Sequence, residues 1–186
     1  MADTFEAETF HIGCDEVFEI AKCPRCRTRA ASDIFSEWIT AIHDFLASKN
    51  IKTMMWGDRL LDGFATGYGR WEASQNGTEA AIRSLPKDIL ICDWHYGNRD
   101  EYPSVGVFAD AGLDMLICPW RYKENSLKFI EYAKKHDKGN IRGILATTWC
   151  DSGDLARNLL NISGNSAGTD ENCGFVSETY RTLFAD

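Results

Sequence analysis

The feature that most constrains the fold of this chain is a regular alternation of short apolar segments with amphipathic ones. Each apolar run is β-compatible and is bounded by Gly, Pro, Asp or Trp. These runs predict strands at residues 9–13, 52–56, 88–92, 113–118 and 142–148. Strands that alternate with helices are parallel and are joined by right-handed crossovers. The pattern therefore predicts an α/β fold, either a barrel or a doubly wound sheet.

The clearest helix follows the first predicted strand. Apolar residues recur at helical spacing over residues 34–46, after Ser32 and Asp33, which are suited to capping. On this helix we expect Trp38 to lie in the core. Further helices are predicted at residues 126–135 and, with weaker patterns, at 78–85 and 177–184.

Polar and aromatic side chains follow nearly every predicted strand at its carboxyl end. In a barrel, this end of the strands carries the active site. The chain contains no GxGxxG or P-loop that would support a nucleotide-binding sheet. We therefore expect one mouth built from five loops, with these residues around it: Asp15, Glu16, Trp56, Asp58, Asp93, Trp94, His95, Tyr96, Trp120, Arg121, Tyr122, Trp149 and Asp151.

The number of strands limits how much of a barrel the chain can form. A closed (β/α) TIM-type barrel needs eight strands and about 250 residues, whereas five strands are predicted in 186 residues. We therefore expect residues 1–186 to be a single domain that forms the second half of such a barrel, with about five βα units. Its two open edges favour a homo-oligomer or association with a missing barrel half.

The net charge of the chain argues against anionic partners. The formal charge is −8 and the chain has no block rich in Lys or Arg, so binding to nucleic acid or to an anionic membrane is not expected. No apolar stretch is long enough to span a bilayer, and the acidic residues 1–10 do not resemble a signal peptide. For the chain as given we expect a cytoplasmic location, with neutral sugars or small polar molecules as ligands.

The densest polar cluster is HIGCDEV, which begins at His11. The adjacent carboxyls of Asp15 and Glu16 repel each other when both are ionised, so one should keep its proton to higher pH and can serve as a general acid. Neighbouring residues cannot easily flank a scissile glycosidic bond from both sides, as the two carboxyls of ordinary glycosidases do. One carboxyl can instead protonate a leaving oxygen while its neighbour holds a nucleophile that the substrate carries.

These residues resemble a known family. HIGCDEV is similar to the H-x-G-G-D-E signature of glycoside hydrolase family 20, the β-N-acetylhexosaminidases, with Cys14 in place of the second glycine. The segments MMWGD, ICDWHY, ICPW and GILATTWCD occur, in order, where that family has its fifth to eighth barrel strands. The resemblance extends along most of the chain.

The resemblance implies substrate-assisted hydrolysis of a terminal N-acetylhexosamine with retained configuration. Glu16 would be the general acid and base, and Asp15 would orient the 2-acetamido group that forms an oxazolinium intermediate. Asp151 would replace the glutamate of the family's W-x-E motif at the last strand. Either Tyr122 or Trp120 would take the place of the family's seventh-strand tyrosine. No cofactor is implied. The expected substrate-binding residues are His11, Trp56, Asp58, Trp94, Tyr96, Trp120, Tyr122, Trp149 and Asp151.

Two other interpretations stay open from the sequence. The chain can be a non-catalytic carbohydrate-binding or assembly fragment of such a barrel, which measurement of glycoside turnover would distinguish from an enzyme.

Cys23 and Cys26 form the one metal-like motif, but a single C-x2-C supplies only two of the four ligands of a structural zinc ion. We therefore expect a reduced pair of loop cysteines and no metal there.

Overall fold

Five strands form one parallel sheet in a computed structural model that describes residues 3–162 and 170–184. The strands are β1 (Thr9–His11), β2 (Lys52–Trp56), β3 (Leu90–Trp94), β4 (Met115–Cys118) and β5 (Ile141–Ile144). Each strand pairs in parallel with the next one along the chain. All five predicted strands are present, although their boundaries differ by a few residues.

The order of the strands identifies the kind of α/β fold. Spatial order follows chain order, β1-β2-β3-β4-β5, as in a (β/α) barrel, whereas a doubly wound sheet reverses direction at a switch point. This confirms the prediction of an α/β fold that is consistent with half of a TIM-type barrel. Within the described residues, β1 and β5 each pair with a single strand and form the edges of the sheet.

Helices connect and follow the strands. They are α1 (Ala31–Ala47), α2 (Gly63–Thr66), α3 (Pro103–Asp110), α4 (Lys123–His136), α5 (Ser152–Leu160) and α6 (Glu171–Leu183), with 3-10 turns at Asp3–Phe5, Asp58–Leu60 and Glu79–Arg83. The weak pattern at residues 78–85 thus forms a 3-10 turn. None of the described helices is long and apolar enough to cross a membrane.

Helix α1 corrects two expectations. The helix begins after Ala30, which makes no side-chain cap, so Ser32 and Asp33 lie inside its first turn. Phe35 and Ile39 are buried, but the Trp38 side chain is 64% exposed, so its assignment to the core was wrong. At 100° per residue, Trp38 lies at the edge of the apolar stripe, where the sheet does not cover it.

The two faces of the sheet bury different sets of residues. Met55, Ile91 and Ile117 pack into the main core together with apolar residues of α1, α3 and α4. The alternate residues on the same strands, among them Trp56, Cys92 and Cys118, pack on the opposite face. Side chains alternate across a strand, and the helices lie on one face because the crossovers share one hand. The second face is therefore the one that a barrel would enclose.

Candidate functional site

A pocket lies at the carboxyl ends of the strands, where the sequence predicts the mouth of a barrel. Its volume is about 350 Å³, at the small end of the range for ligand sites. Two carboxylates and six aromatic rings line it: Asp15, Glu16, Trp56, Trp71, Trp94, Tyr96, Trp120 and Trp149. All of these residues except Trp71 were predicted from the sequence.

The two carboxylates lie in a turn with an unusual backbone. Gly13, Cys14 and Glu16 all have positive φ angles, of 75°, 73° and 50°. The turn is closed by a hydrogen bond from the Gly13 N–H to Nδ1 of His11, at 3.0 Å. The left-handed region is unfavourable for residues with a Cβ atom, so Cys14 occupies a position that suits glycine. The strained turn holds Asp15 and Glu16 at the mouth.

A buried ion pair, Asp58–Arg59, anchors this turn from below. The Glu16 N–H donates to Oδ2 of Asp58 at 2.9 Å, and Arg59 Nε donates to the same oxygen at 2.7 Å. Asp58 Oδ1 accepts from the Trp94 indole at 3.3 Å. Gly57 lets the chain turn here, because a Cβ atom at this position would lie 2.7 Å from both Ile91 and Phe108 side chains. Asp58 is 2% exposed and thus supports the pocket without lining it.

Arg59 also fixes the loop that carries Trp71. Its Nη2 donates to the backbone carbonyls of Arg70, Trp71 and Ala73 at 2.7, 2.9 and 2.8 Å. The Trp71 ring packs edge-on against Phe18, with centroids 4.9 Å apart. One guanidinium group therefore couples the Glu16 turn to the Trp71 side of the pocket.

Aromatic rings around the rest of the pocket contact one another. Tyr96 contacts Trp94 and Trp120, with centroid distances of 4.9 and 5.1 Å. Its hydroxyl accepts a hydrogen bond from Nε1 of Trp149 at 3.0 Å and lies 3.2 Å from Oγ1 of Thr147. The single Thr147 hydroxyl proton can instead go to the Pro119 carbonyl at 2.9 Å. The phenolic proton of Tyr96 is then available to Thr147 or to a bound ligand.

The electrostatics of the pocket favour the protonated form of Glu16 more than that of an ordinary carboxyl group. Partial burial, followed by the charges of Asp15 and Asp58, raises the pKa of Glu16, and Arg59 offsets part of this effect. Burial also raises the pKa of Tyr96 to about 12, so the phenol keeps its proton at neutral pH. A carboxyl group with a raised pKa is suited to general acid catalysis.

A second buried network lies behind the β3 side of the pocket. The His95 ring is 3.1 Å from carboxylate oxygens of both Glu72 and Asp93, and the Ser104 hydroxyl donates to Asp93 at 2.7 Å. Arg99 also pairs with Glu72. Burial alone lowers the pKa of His95, but Asp93 and Glu72 raise it overall. This network fixes Asp93 and His95 on either side of Trp94, which lines the pocket.

Four of the predicted binding residues do not line the pocket. His11 lies beneath it, with its ring 4.6 Å from that of Trp56, and Asp58 is buried as described above. Tyr122 packs against Phe175 on another part of the surface, with centroids 5.3 Å apart. Asp151 caps α5, accepting a hydrogen bond from the Asp154 N–H at 2.9 Å. The first two residues support the pocket, whereas Tyr122 and Asp151 have their contacts elsewhere.

Trp71 and Arg59 belong to the site but were not predicted from the sequence. Neither residue ends a strand; both lie in the long connection between β2 and β3. Their position in this connection could have identified them from the sequence, because the loops that follow barrel strands build the mouth. A tryptophan in such a loop is therefore a reasonable candidate for the pocket.

Similarity to known proteins is found among solved structures, of which seven chains match this chain. No protein-family model matches this chain, and no curated protein matches it. Among solved structures, the chain is similar to a β-N-acetylhexosaminidase from Bacteroides fragilis NCTC 9343, with 21% sequence identity and a TM-score of 0.42. The alignment covers 66% of this chain and 22% of that one. The chain thus spans less than a quarter of the length of that structure.

Proposed function

We propose that the chain carries the catalytic pocket of a glycoside hydrolase of the β-N-acetylhexosaminidase type. The observation that carries the proposal is the pairing of Glu16, whose pKa is raised, with Asp15 in a pocket otherwise lined by aromatic rings. The pocket volume of about 350 Å³ suits one sugar unit rather than a long oligosaccharide. We therefore expect removal of a single terminal N-acetylhexosamine.

Glu16 has the position and the acidity for proton donation. Its carboxyl group lines the pocket, and its backbone is held by the hydrogen bond to Asp58. The protonated group would donate to the glycosidic oxygen as the bond to the anomeric carbon breaks. The resulting carboxylate would then take a proton from the water that hydrolyses the intermediate, so the same residue serves in both steps.

Asp15 would act on the substrate's own nucleophile. In substrate-assisted hydrolysis, the acetamido carbonyl oxygen attacks the anomeric carbon and forms an oxazolinium ion, which water then opens with net retention. The Asp15 carboxylate can accept a hydrogen bond from the acetamido N–H and stabilise the developing positive charge. The Tyr96 phenol, which keeps its proton, can donate to the acetamido oxygen from the same pocket.

The aromatic rings suit the apolar parts of such a sugar. Tryptophan presents a flat apolar face to the C–H groups of a pyranose or to the acetamido methyl, and its N–H can bond a hydroxyl. Nε1 of Trp120 is buried and has no hydrogen-bond partner among the described residues. An unpaired buried donor costs about 1 to 3 kcal/mol, and a ligand oxygen that reached it would recover part of this cost.

The first experiment tests the acid. Glu16→Gln should reduce turnover of a natural N-acetylglucosamine disaccharide by about 10²- to 10⁴-fold, and should have less effect on an aryl glycoside, whose leaving group needs little protonation. Glu131→Gln, on the exposed surface of α4, is the matched control. Near-normal turnover of the disaccharide by Glu16→Gln would refute the assignment.

The second experiment tests substrate assistance. Asp15→Asn should slow hydrolysis of aryl N-acetyl-β-glucosaminides severely, and the parent protein should turn over the corresponding aryl β-glucosides poorly, because these lack the acetamido group. A stable sugar ester isolated on Asp15 or Glu16 would contradict this mechanism.

The open edges of the sheet favour a second candidate function. Since β1 and β5 each have one neighbour among the described strands, the chain by itself can be a carbohydrate-binding fragment that needs a second copy or a further barrel half for turnover. An oxazoline-mimicking inhibitor that binds in a calorimetric titration, without measurable hydrolysis of any aryl glycoside, would favour this function. Light scattering in the same buffer gives the oligomeric state.

A further inference from the structure

A cluster of metal-ligating side chains lies outside the pocket, where the segment after β5 meets α6. The Sγ atoms of Cys150 and Cys173 and a carboxylate oxygen of Asp170 all lie within 4.8 Å of one another. It is the one group of at least three such ligands found among the described residues. Its members come from two different parts of the chain, which the fold brings together.

The surroundings of the cluster favour a cation. Cys173 is fully buried, and the negative groups near its sulfur are Asp170 and Asp154. The backbone carbonyl of Asp151 is also 3.5 Å from the same sulfur. The nearby Arg157 pairs with Asp154 at 3.2 Å, and Arg121 donates to Oδ1 of Asn172 at 2.6 Å. Potential ligand atoms thus converge on a place where no cationic side chain of the described residues pairs with Asp170.

Asp170 keeps capacity for a ligand although it also caps α6. Its Oδ1 accepts hydrogen bonds from the backbone N–H and the side-chain amide of Asn172, at 3.0 and 2.9 Å. A carboxylate has two oxygens and about four acceptor positions. The capping role therefore orients the group and leaves acceptor positions open toward the two sulfurs.

We propose that Cys150, Asp170 and Cys173 bind a Zn²⁺ ion, with water or the Thr148 hydroxyl as the fourth ligand. Two sulfurs and one carboxylate oxygen are a donor set that suits this ion. A tetrahedral site with Zn–S bonds of about 2.3 Å places its ligand atoms about 3.8 Å apart. Shifts of about 1 Å in side-chain position would reach this geometry. The Thr148 Oγ1 atom is 3.1 Å from the Cys150 sulfur.

Such an ion would fix one side of the pocket. Cys150 directly follows Trp149, a residue of the pocket lining that is 55% exposed. Binding would tie the Trp149 segment to the start of α6, and each thiol would release its proton to solvent. The metal site does not depend on the proposed hydrolase activity, because it is defined by different side chains and is tested by metal binding.

The experiment uses the full chain, reduced and freed of metal, titrated with Co²⁺ and then with Zn²⁺. We expect one Co²⁺ per chain, with thiolate-to-cobalt charge-transfer bands and the visible bands of a tetrahedral site, which Zn²⁺ abolishes. Zn²⁺ should also raise the Tm, since a ligand that binds only the folded state stabilises it. The double variant Cys150→Ser/Cys173→Ser should lose both responses.

Two further variants make the result decisive. Cys23→Ser/Cys26→Ser is the matched control, because it removes a C-x2-C pair elsewhere and should keep the cobalt spectrum. Asp170→Asn retains the helix cap and both thiols, and should weaken Zn²⁺ binding at least about tenfold. A spectrum lost in the Cys23/Cys26 variant, or unchanged in the Cys150/Cys173 variant, would overturn the proposal. A Cys150–Cys173 disulfide mapped in freshly purified protein would also overturn it.

Discussion

Replacement of Arg59 by Met tests whether the Asp58–Arg59 pair supports the pocket. Met keeps much of the apolar stem but removes the guanidinium that bonds Asp58 and three backbone carbonyls. Loss of one partner of a buried ion pair costs about 3 to 5 kcal/mol. The buried carbonyl of Ala73 would also lose its donor, at about 1 kcal/mol. We therefore expect Arg59→Met to lower the free energy of unfolding by about 4 to 6 kcal/mol.

Arg142→Met is the matched control for this change. Its guanidinium pairs with Asp114 at 2.7 Å, the same distance as in the buried pair, but both side chains are about half exposed. Solvent screening leaves exposed pairs with little net effect. In urea titrations followed by tryptophan fluorescence, we expect the Arg142→Met midpoint to match the parent and that of Arg59→Met to fall sharply.

A double variant separates the cost of leaving the Asp58 carboxylate buried and unpaired from the cost of the lost hydrogen bonds. In Asp58→Asn/Arg59→Met the unpaired buried carboxylate is gone, so about 2 kcal/mol or more of the loss should be recovered. Equal destabilisation by Arg59→Met and Arg142→Met would refute the reasoning, since burial is the difference between the two pairs. A double variant less stable than Arg59→Met would refute the explanation by an unpaired buried carboxylate.

Three other predictions concern the turn, the pocket and the buried histidine. Because Cys14 has a φ of 73°, Cys14→Val should be about 1 to 2 kcal/mol less stable than Cys14→Gly in urea titration; equal stabilities would contradict the strain. Trp71→Ala should weaken binding of an oxazoline-mimicking inhibitor at least about tenfold, whereas Trp38→Ala, at an exposed site on α1, should leave it unchanged. The raised pKa of His95 means that its ion pairs stabilise the fold fully below about pH 6.5 and are lost as the pH rises through the folded-state pKa. The Tm of the parent should therefore fall on the alkaline side, and that of His95→Gln should fall less; parallel curves would rule out this contribution.

Local sequence patterns are sufficient to predict the class of fold and most of the residues that line the pocket. Alternation of apolar runs with amphipathic segments specified parallel strands, because period-2 and period-3.6 patterns depend on local geometry. The Asp15–Glu16 pair, and the tryptophans Trp56, Trp94 and Trp149, could be placed at the mouth because each lies at or just beyond the carboxyl end of a predicted strand. These inferences need only the direction of the chain and the common direction of its strands.

Contacts between distant parts of the chain determine which of these side chains line the pocket and which support it. Asp58 follows β2 as the sequence predicts, but it bonds a backbone N–H 42 residues away, at Glu16, and is buried. Trp71 enters the pocket because Arg59 fixes its loop from below, whereas Asp151 serves as a helix cap. Local patterns specify how a segment folds, while the path of a long connection depends on hydrogen bonds and packing with distant residues. That is the physical reason why the strand ends were predictable and the loop contacts were not.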